Sequence, residues 1–259
     1  MTDHAGQPYA PVAQDRRVDD RWVGERGEQG TDRRDWPDRL CLSRGLSRGL
    51  SQGLSPHAVL AFDPIRLAAD LARIEANAWI PHFVPQHYEG DWSVLPLRAP
   101  VGATHPILRI APNPQCRDWE DTDLLGACPY IRQVLAAFAC PLEAVRLMQL
   151  APGSVIKEHR DHDLAAENGM ARLHIPITTN PAVDFRLNGT QVRMMPATTW
   201  YLRLADPHSV TNGGTTPRVH LVIDALVDPW LEDLLDAAAM TAVTATAATA
   251  AMAAGVVQA

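Results

Sequence analysis

From Ala144 onward, apolar and polar residues alternate in short runs: AVRLMQLAPG, ARLHIPITT, VDFRLNGT, TTWYLRLAD and RVHLVIDAL. The turn signals PGS, NPA, NGT and NGGTTP separate them. A period of two sends successive side chains to opposite faces of a strand, and clusters of Gly, Pro and Asn break such runs into turns. Several short strands spaced this way predict a β-sandwich or closed jelly roll. Upstream the period changes. FDPIRLAADLARIEANAWI, from Phe62 to Ile80, repeats apolar residues at three and four spacing behind an Asp-Pro start. PYIRQVLAAFAC, from Pro129 to Cys140, does the same, so both are expected as helices buttressing the sheet. VDPWLEDLL reads as a closing helix. The expected class is mostly β with flanking helices, in one domain over residues 58–235.

The ends of the chain carry no such pattern. Residues 1–57 are rich in Asp, Arg, Gln, Gly and Pro and include a short tandem repeat, LSRG-LSRG-LSQG-LSP, whose glycines oppose a helix. This stretch reads as a disordered leader, and residues 236–259 as an Ala-rich tail. A 46% hydrophobic and 20% charged composition is that of a globular protein, which excludes disorder of the whole chain. A net charge of −7 with no Lys/Arg stripe argues against nucleic acid or an anionic membrane as partner. No run of about 18 apolar residues and no apolar signal-peptide core is present, so a cytoplasmic location is expected. Cys41, Cys116, Cys128 and Cys140 form no CxxC pair and are expected as reduced, partly buried thiols.

Candidate chemistry gathers in the β-patterned half. His159 and Asp161, in EHRDH, stand at i and i+2 and would project together from a strand edge. His208, in DPHSV, follows about fifty residues later, after enough chain to return beside them. Two imidazoles and a carboxylate without thiolates suit Fe(II) in a facial triad that leaves positions for a co-substrate and O₂. Arg218 comes ten residues after His208, inside the apolar run RVHLVID. It shares a strand face with His220 and Val222, as Arg172 shares one with His174. A buried cation needs an anion, and a guanidinium binds carboxylates bidentately, so a dicarboxylate such as 2-oxoglutarate fits. The bland reading of Arg172 and Arg218 is an ion pair with Asp184, Asp206 or Asp224.

The segment from about Tyr88 to Leu235, above all RLMQLAPGSVIKEHRDHD, RLHIPI and WYLRLADPHSVTNGGTTPRVHLVID, resembles the aspartyl/asparaginyl β-hydroxylase family of Fe(II)- and 2-oxoglutarate-dependent dioxygenases. The resemblance implies a double-stranded β-helix, a cupin-like jelly roll, with His159 and His208 on iron and Arg218 on the distal carboxylate of 2-oxoglutarate. Arg172 and His174 would lie near the keto-acid end. The family's vertebrate peptide hydroxylase has glycine where Asp161 stands, so a full triad is expected here.

The implied reaction is oxidative decarboxylation of 2-oxoglutarate to succinate, coupled to hydroxylation of an amino acid, free, derivatised or within a peptide. No catalytic side chain beyond the metal centre is expected. Trp92, among polar and glycine residues in EGDWSVLPLR, and Arg146, on the strand face of Met148 and Leu150, are candidates for the substrate pocket. The alternative from another class is a cupin-like protein that binds or senses metal and 2-oxoglutarate without turnover.

Overall fold

In the computed structural model, residues 35–43, 60–75, 78–111 and 116–256 are described. The chain runs through β1 (Arg39–Cys41), α1 (Pro64–Leu71), β2 (Ile80–Pro81), β3 (Tyr88–Glu89) and β4 (Trp92–Pro100), then α2 (Pro106–Ile110), β5 (Trp119–Asp121), α3 (Asp123–Gly126) and α4 (Pro129–Leu135). The alternating half follows: β6 (Leu142–Leu150), β7 (Val155–His159), β8 (Met170–Thr178), β9 (Val183–Leu187), β10 (Thr190–Gln191), β11 (Trp200–Leu202), β12 (His208–Asn212) and β13 (Arg218–Leu226). The helix α5 (Pro229–Val256) closes it.

Two antiparallel sheets result. The larger has the order β1-β11-β8-β13-β6-β4-β2, with β5 added to β4, and the smaller has the order β10-β9-β12-β7-β3. From β6 to β13 the chain crosses from one sheet to the other at nearly every turn, which is the winding of a double-stranded β-helix. The period-two pattern dictates what fills each side. Leu173, Ile175, Val219, Leu221 and Ile223 face outward and pack under α1, α4 and α5. Met148, Leu150, Val222, Phe185 and Val210 fill the space between the sheets. The tight turn between β9 and β10 needs positive φ at both central residues, and Asn188 and Gly189 supply 50° and 70°.

Several expectations change. The helix foreseen over Phe62–Ile80 is confined to Pro64–Leu71, begun by Asp63, whose carboxylate accepts the N–H groups of Ile65 and Arg66. Beyond it Ile80 pairs with Val94, so sheet pairing overrides local helical spacing. The second helix ends at Leu135 rather than Cys140. The leader foreseen over residues 1–57 contains β1, on the edge of the larger sheet, with Trp36, Leu40 and Leu42 buried; its remaining residues other than 35–43 lie outside the described residues. The Ala-rich tail begins inside α5, where Leu234, Leu235 and Ala238 pack into the outer core. β4 has no counterpart among the expected strands because Pro96 and Pro100 interrupt it; a register shift between Pro96 and Arg98 accommodates the missing donor. Among the described residues, which include all four cysteines, no disulfide forms, and burial pushes the Cys128 and Cys140 thiols up to about 11 and about 12.

Candidate functional site

His159 ends β7 and His208 begins β12, and the two are direct cross-strand partners. The register between these strands shifts by one residue before Val210 pairs with Ile156. That bulge is what turns His159 inward. Ile156 is buried between the sheets, and a residue three places on would point outward in an unbroken strand. The extra residue at Lys157–Glu158, both exposed, restores the inward direction.

The two rings are set alike. His159 Nδ1 lies 2.8 Å from the Lys157 carbonyl and His208 Nδ1 lies 3.0 Å from the Asp206 carbonyl. A carbonyl only accepts, so Nδ1 carries the proton in both rings and Nε2 keeps its lone pair for a metal. Asp161 lies just beyond the end of β7, its backbone N–H donating to the Leu204 carbonyl. Its Oδ1 is 3.9 Å from His159 Nε2, and the ligand atoms of His159, Asp161 and His208 all lie within 4.8 Å of one another. Burial pushes His208 down to about 4, keeping it neutral for coordination. The chemistry of this donor set fits a divalent iron with open positions.

Deeper between the sheets sits a group of buried nitrogens. Arg218 is 3% exposed and donates through Nη2 to His220 Nδ1 at 2.8 Å, while its Nε has no partner. No carboxylate of the described residues pairs with it, and burial alone pulls it down to about 9. His174 Nδ1 lies 3.4 Å from His220 Nδ1, and His174 Nε2 is likewise buried and unpartnered. Burial, reinforced by Arg218, holds both His174 and His220 well below the usual histidine range. A buried guanidinium with no matching carboxylate among the described residues, beside two neutral imidazoles, is chemically suited to an anion.

Arg172 differs from the co-substrate contact expected for it. Its Nε and Nη2 donate to the Asp224 carboxylate at 2.6 and 2.9 Å, and its Nη1 donates to Asp161 Oδ2 at 3.1 Å. Arg172 and Asp224 are cross-strand partners on β8 and β13, which is why the aspartate reaches it first. Arg146 donates through Nη1 to the same Asp224 at 2.9 Å, and its Nε is buried without a partner. Burial raises the Asp224 carboxyl, but Arg172 and Arg146 outweigh it and hold it at about 2.

Trp92 closes the side of the site formed by β4. Its ring stacks on His82 with centroids 3.5 Å apart and lies 6.5 Å from His159, and its Nε1 is buried without an acceptor. Burial, with Arg172 and Arg146 adding to it, pushes His82 down to about 3. The structure thus brings His159, Asp161 and His208 into one cluster, sets Arg218 and His174 behind it, and puts Arg146, Arg172 and Trp92 around it. Sequence reasoning missed His82, because its place depends on the β2–β4 pairing, and gave Asp224 only as a partner. The signal for Asp224 was present: it continues the alternation Arg218, His220, Val222.

The family model for aspartyl/asparaginyl beta-hydroxylase matches residues 67–227, and the chain belongs to that family. It is 26% identical over 168 residues to an L-proline cis-4-hydroxylase of Rhizobium meliloti (strain 1021). That match covers 63% of this chain and 57% of the relative, so the chain spans little more than half of the relative's length. Among solved structures, a 2OG-Fe(II) oxygenase family oxidoreductase from Burkholderia pseudomallei is 15% identical at a TM-score of 0.43, covering 62% of this chain and 77% of that one. A Pseudomonas putida prolyl-4-hydroxylase is 13% identical at 0.40, with 65% and 90% covered. No helix among the described residues is long and apolar enough to cross a membrane.

Proposed function

We propose that the protein is an Fe(II)- and 2-oxoglutarate-dependent dioxygenase that hydroxylates a carbon of an amino acid, free, derivatised or within a peptide. The observation that carries this reading is Arg218, a buried guanidinium without a counter-ion, its Nε unpartnered, behind three converging metal ligands. A structural arginine in such a place would be paired, as Arg172 and Arg146 are.

In this reading His159, Asp161 and His208 hold Fe(II) through Nε2, Oδ1 and Nε2. Arg218 receives the remote carboxylate of 2-oxoglutarate, and His174 Nε2 borders its keto-acid end. When bound with O₂, iron and 2-oxoglutarate supply the oxidising power that converts a substrate C–H to C–OH while the keto acid becomes succinate and CO₂. The chain's own share is positioning and dryness: apolar residues between the sheets exclude water, and the neutral His174 and His220 leave Arg218 the dominant charge of the floor. Trp92 and Arg146 border the substrate side. The related L-proline cis-4-hydroxylase supports a cyclic or small amino acid among the first substrates to try.

The test is anaerobic binding of Fe(II) and 2-oxoglutarate, then admission of O₂ with a mixture of amino acids and peptides, read by mass spectrometry. One component should gain a single oxygen with matching succinate. Tight binding of iron and keto acid with no succinate from any component would instead establish the non-catalytic binding protein.

A further inference from the structure

Asp161 is a metal ligand without a packed environment: it lies past the end of β7 and its side chain is 33% exposed. A short carboxylate in that position samples several rotamers unless something fixes it. Among the described residues, the side-chain hydrogen bond that its carboxylate accepts comes from Arg172 Nη1, 3.1 Å from Oδ2, the oxygen farther from His159. Arg172 can hold that direction only if its own plane is fixed. The fork formed by Nε on Asp224 Oδ1 at 2.6 Å and Nη2 on Asp224 Oδ2 at 2.9 Å fixes it, because two parallel bonds lock a planar guanidinium. Arg146 braces Asp224 from the other side at 2.9 Å.

We infer that Asp224, buried one layer behind the metal ligands and touching none of them, is a positioning residue that sets metal affinity through Arg172 and the non-ligating oxygen of Asp161. The inference rests on the reading of His159, Asp161 and His208 as a metal centre. The chain of contacts Asp224–Arg172–Asp161 leaves Oδ1 as the oxygen presented to the metal and occupies Oδ2, so the carboxylate binds through one oxygen and leaves a further position open. Partners of this kind, one bond behind a ligand, typically change metal affinity about 10- to 100-fold when removed.

The experiment uses the full chain and Co(II) alone, titrated by calorimetry and by the visible absorption of the bound ion. Asp224→Asn should raise the Co(II) Kd about tenfold or more. Arg172→Lys keeps a cation opposite Asp224 but cannot fork between two carboxylates; it should do the same with unchanged circular dichroism, and it carries the test if Asp224→Asn does not fold. In an Asp161→Ala background, Arg172→Lys should change the Kd less than about twofold, since the path to the metal is already cut. An unchanged Kd for Arg172→Lys, or an equal loss in both backgrounds, overturns the inference. Absence of His159- and His208-dependent Co(II) binding in the unaltered protein overturns the metal-centre reading itself, which is a different result.

Discussion

A guanidinium taken out of water without a counter-ion costs several kcal/mol, and Arg218 meets that condition while Asp224 meets the opposite one. Removing Arg218 should therefore separate stability from binding. Arg218→Met is expected to leave the thermal midpoint of the ligand-free protein unchanged or higher, yet to weaken 2-oxoglutarate at least about tenfold, the loss of a charge-assisted bond. Differential scanning fluorimetry with anaerobic calorimetry reads both; a lower midpoint with unaltered affinity would make Arg218 structural. For Asp224 the sign runs with acid. Its carboxyl is held at about 2, below the ordinary 3.8, so its ion pairs contribute fully above about pH 4 and are lost as pH falls through 2. Urea unfolding at pH 7 and at pH 3 to 2 should show the gap between the natural protein and Asp224→Asn narrowing only in the acid range.

At the scale of elements, legibility followed contrast between periods. β8 and β13 alternate so cleanly that both of their faces were assigned from sequence, and the outer and inner cores bear this out. β4 was hidden by its prolines, and β1 by its length: three residues cannot display a period. The helix from Phe62 was read too long because Ile74, Ala78 and Trp79 keep helical spacing but reach the core from a turn and a short strand approach. β1 gives a direct check. Leu40, 1% exposed, packs in the outer core, so Leu40→Ala should lower unfolding stability by about 2–5 kcal/mol in urea titrations. A strand that merely brushed the sheet would show no change.

For the molecule as a whole, the site lies between two sheets, so ligands there bridge both and should stabilise the entire fold. At about 100 times its Kd a ligand adds about 2.7 kcal/mol, about 5–10 °C in the midpoint of a domain this size. Mn(II) with 2-oxoglutarate should give a shift of that order, and EDTA should reverse it; a midpoint indifferent to both would place their binding elsewhere. The candidate ligands themselves were legible because imidazole and carboxylate at strand spacing are a chemical pattern, and the structure brings the three together. The contacts behind them were not, since which carboxylate faces Arg172 depends on register, and register is fixed by pairing across the sheet. Register also carries a consequence for descent. His159 stands three places after Ile156, an odd step that would point it outward, and it faces inward because the surplus residue is absorbed at Lys157–Glu158. Deleting Glu158 should remove the bulge and set the imidazole two places after Ile156, on the same inward face and still opposite His208, so Co(II) binding should persist with an unchanged circular dichroism spectrum; loss of binding would show that the bulge itself presents the ligand. On this scaffold a bulged and a regular metal-bearing strand are then one in-frame codon apart, and a lineage can cross that gap in either direction without rebuilding the barrel.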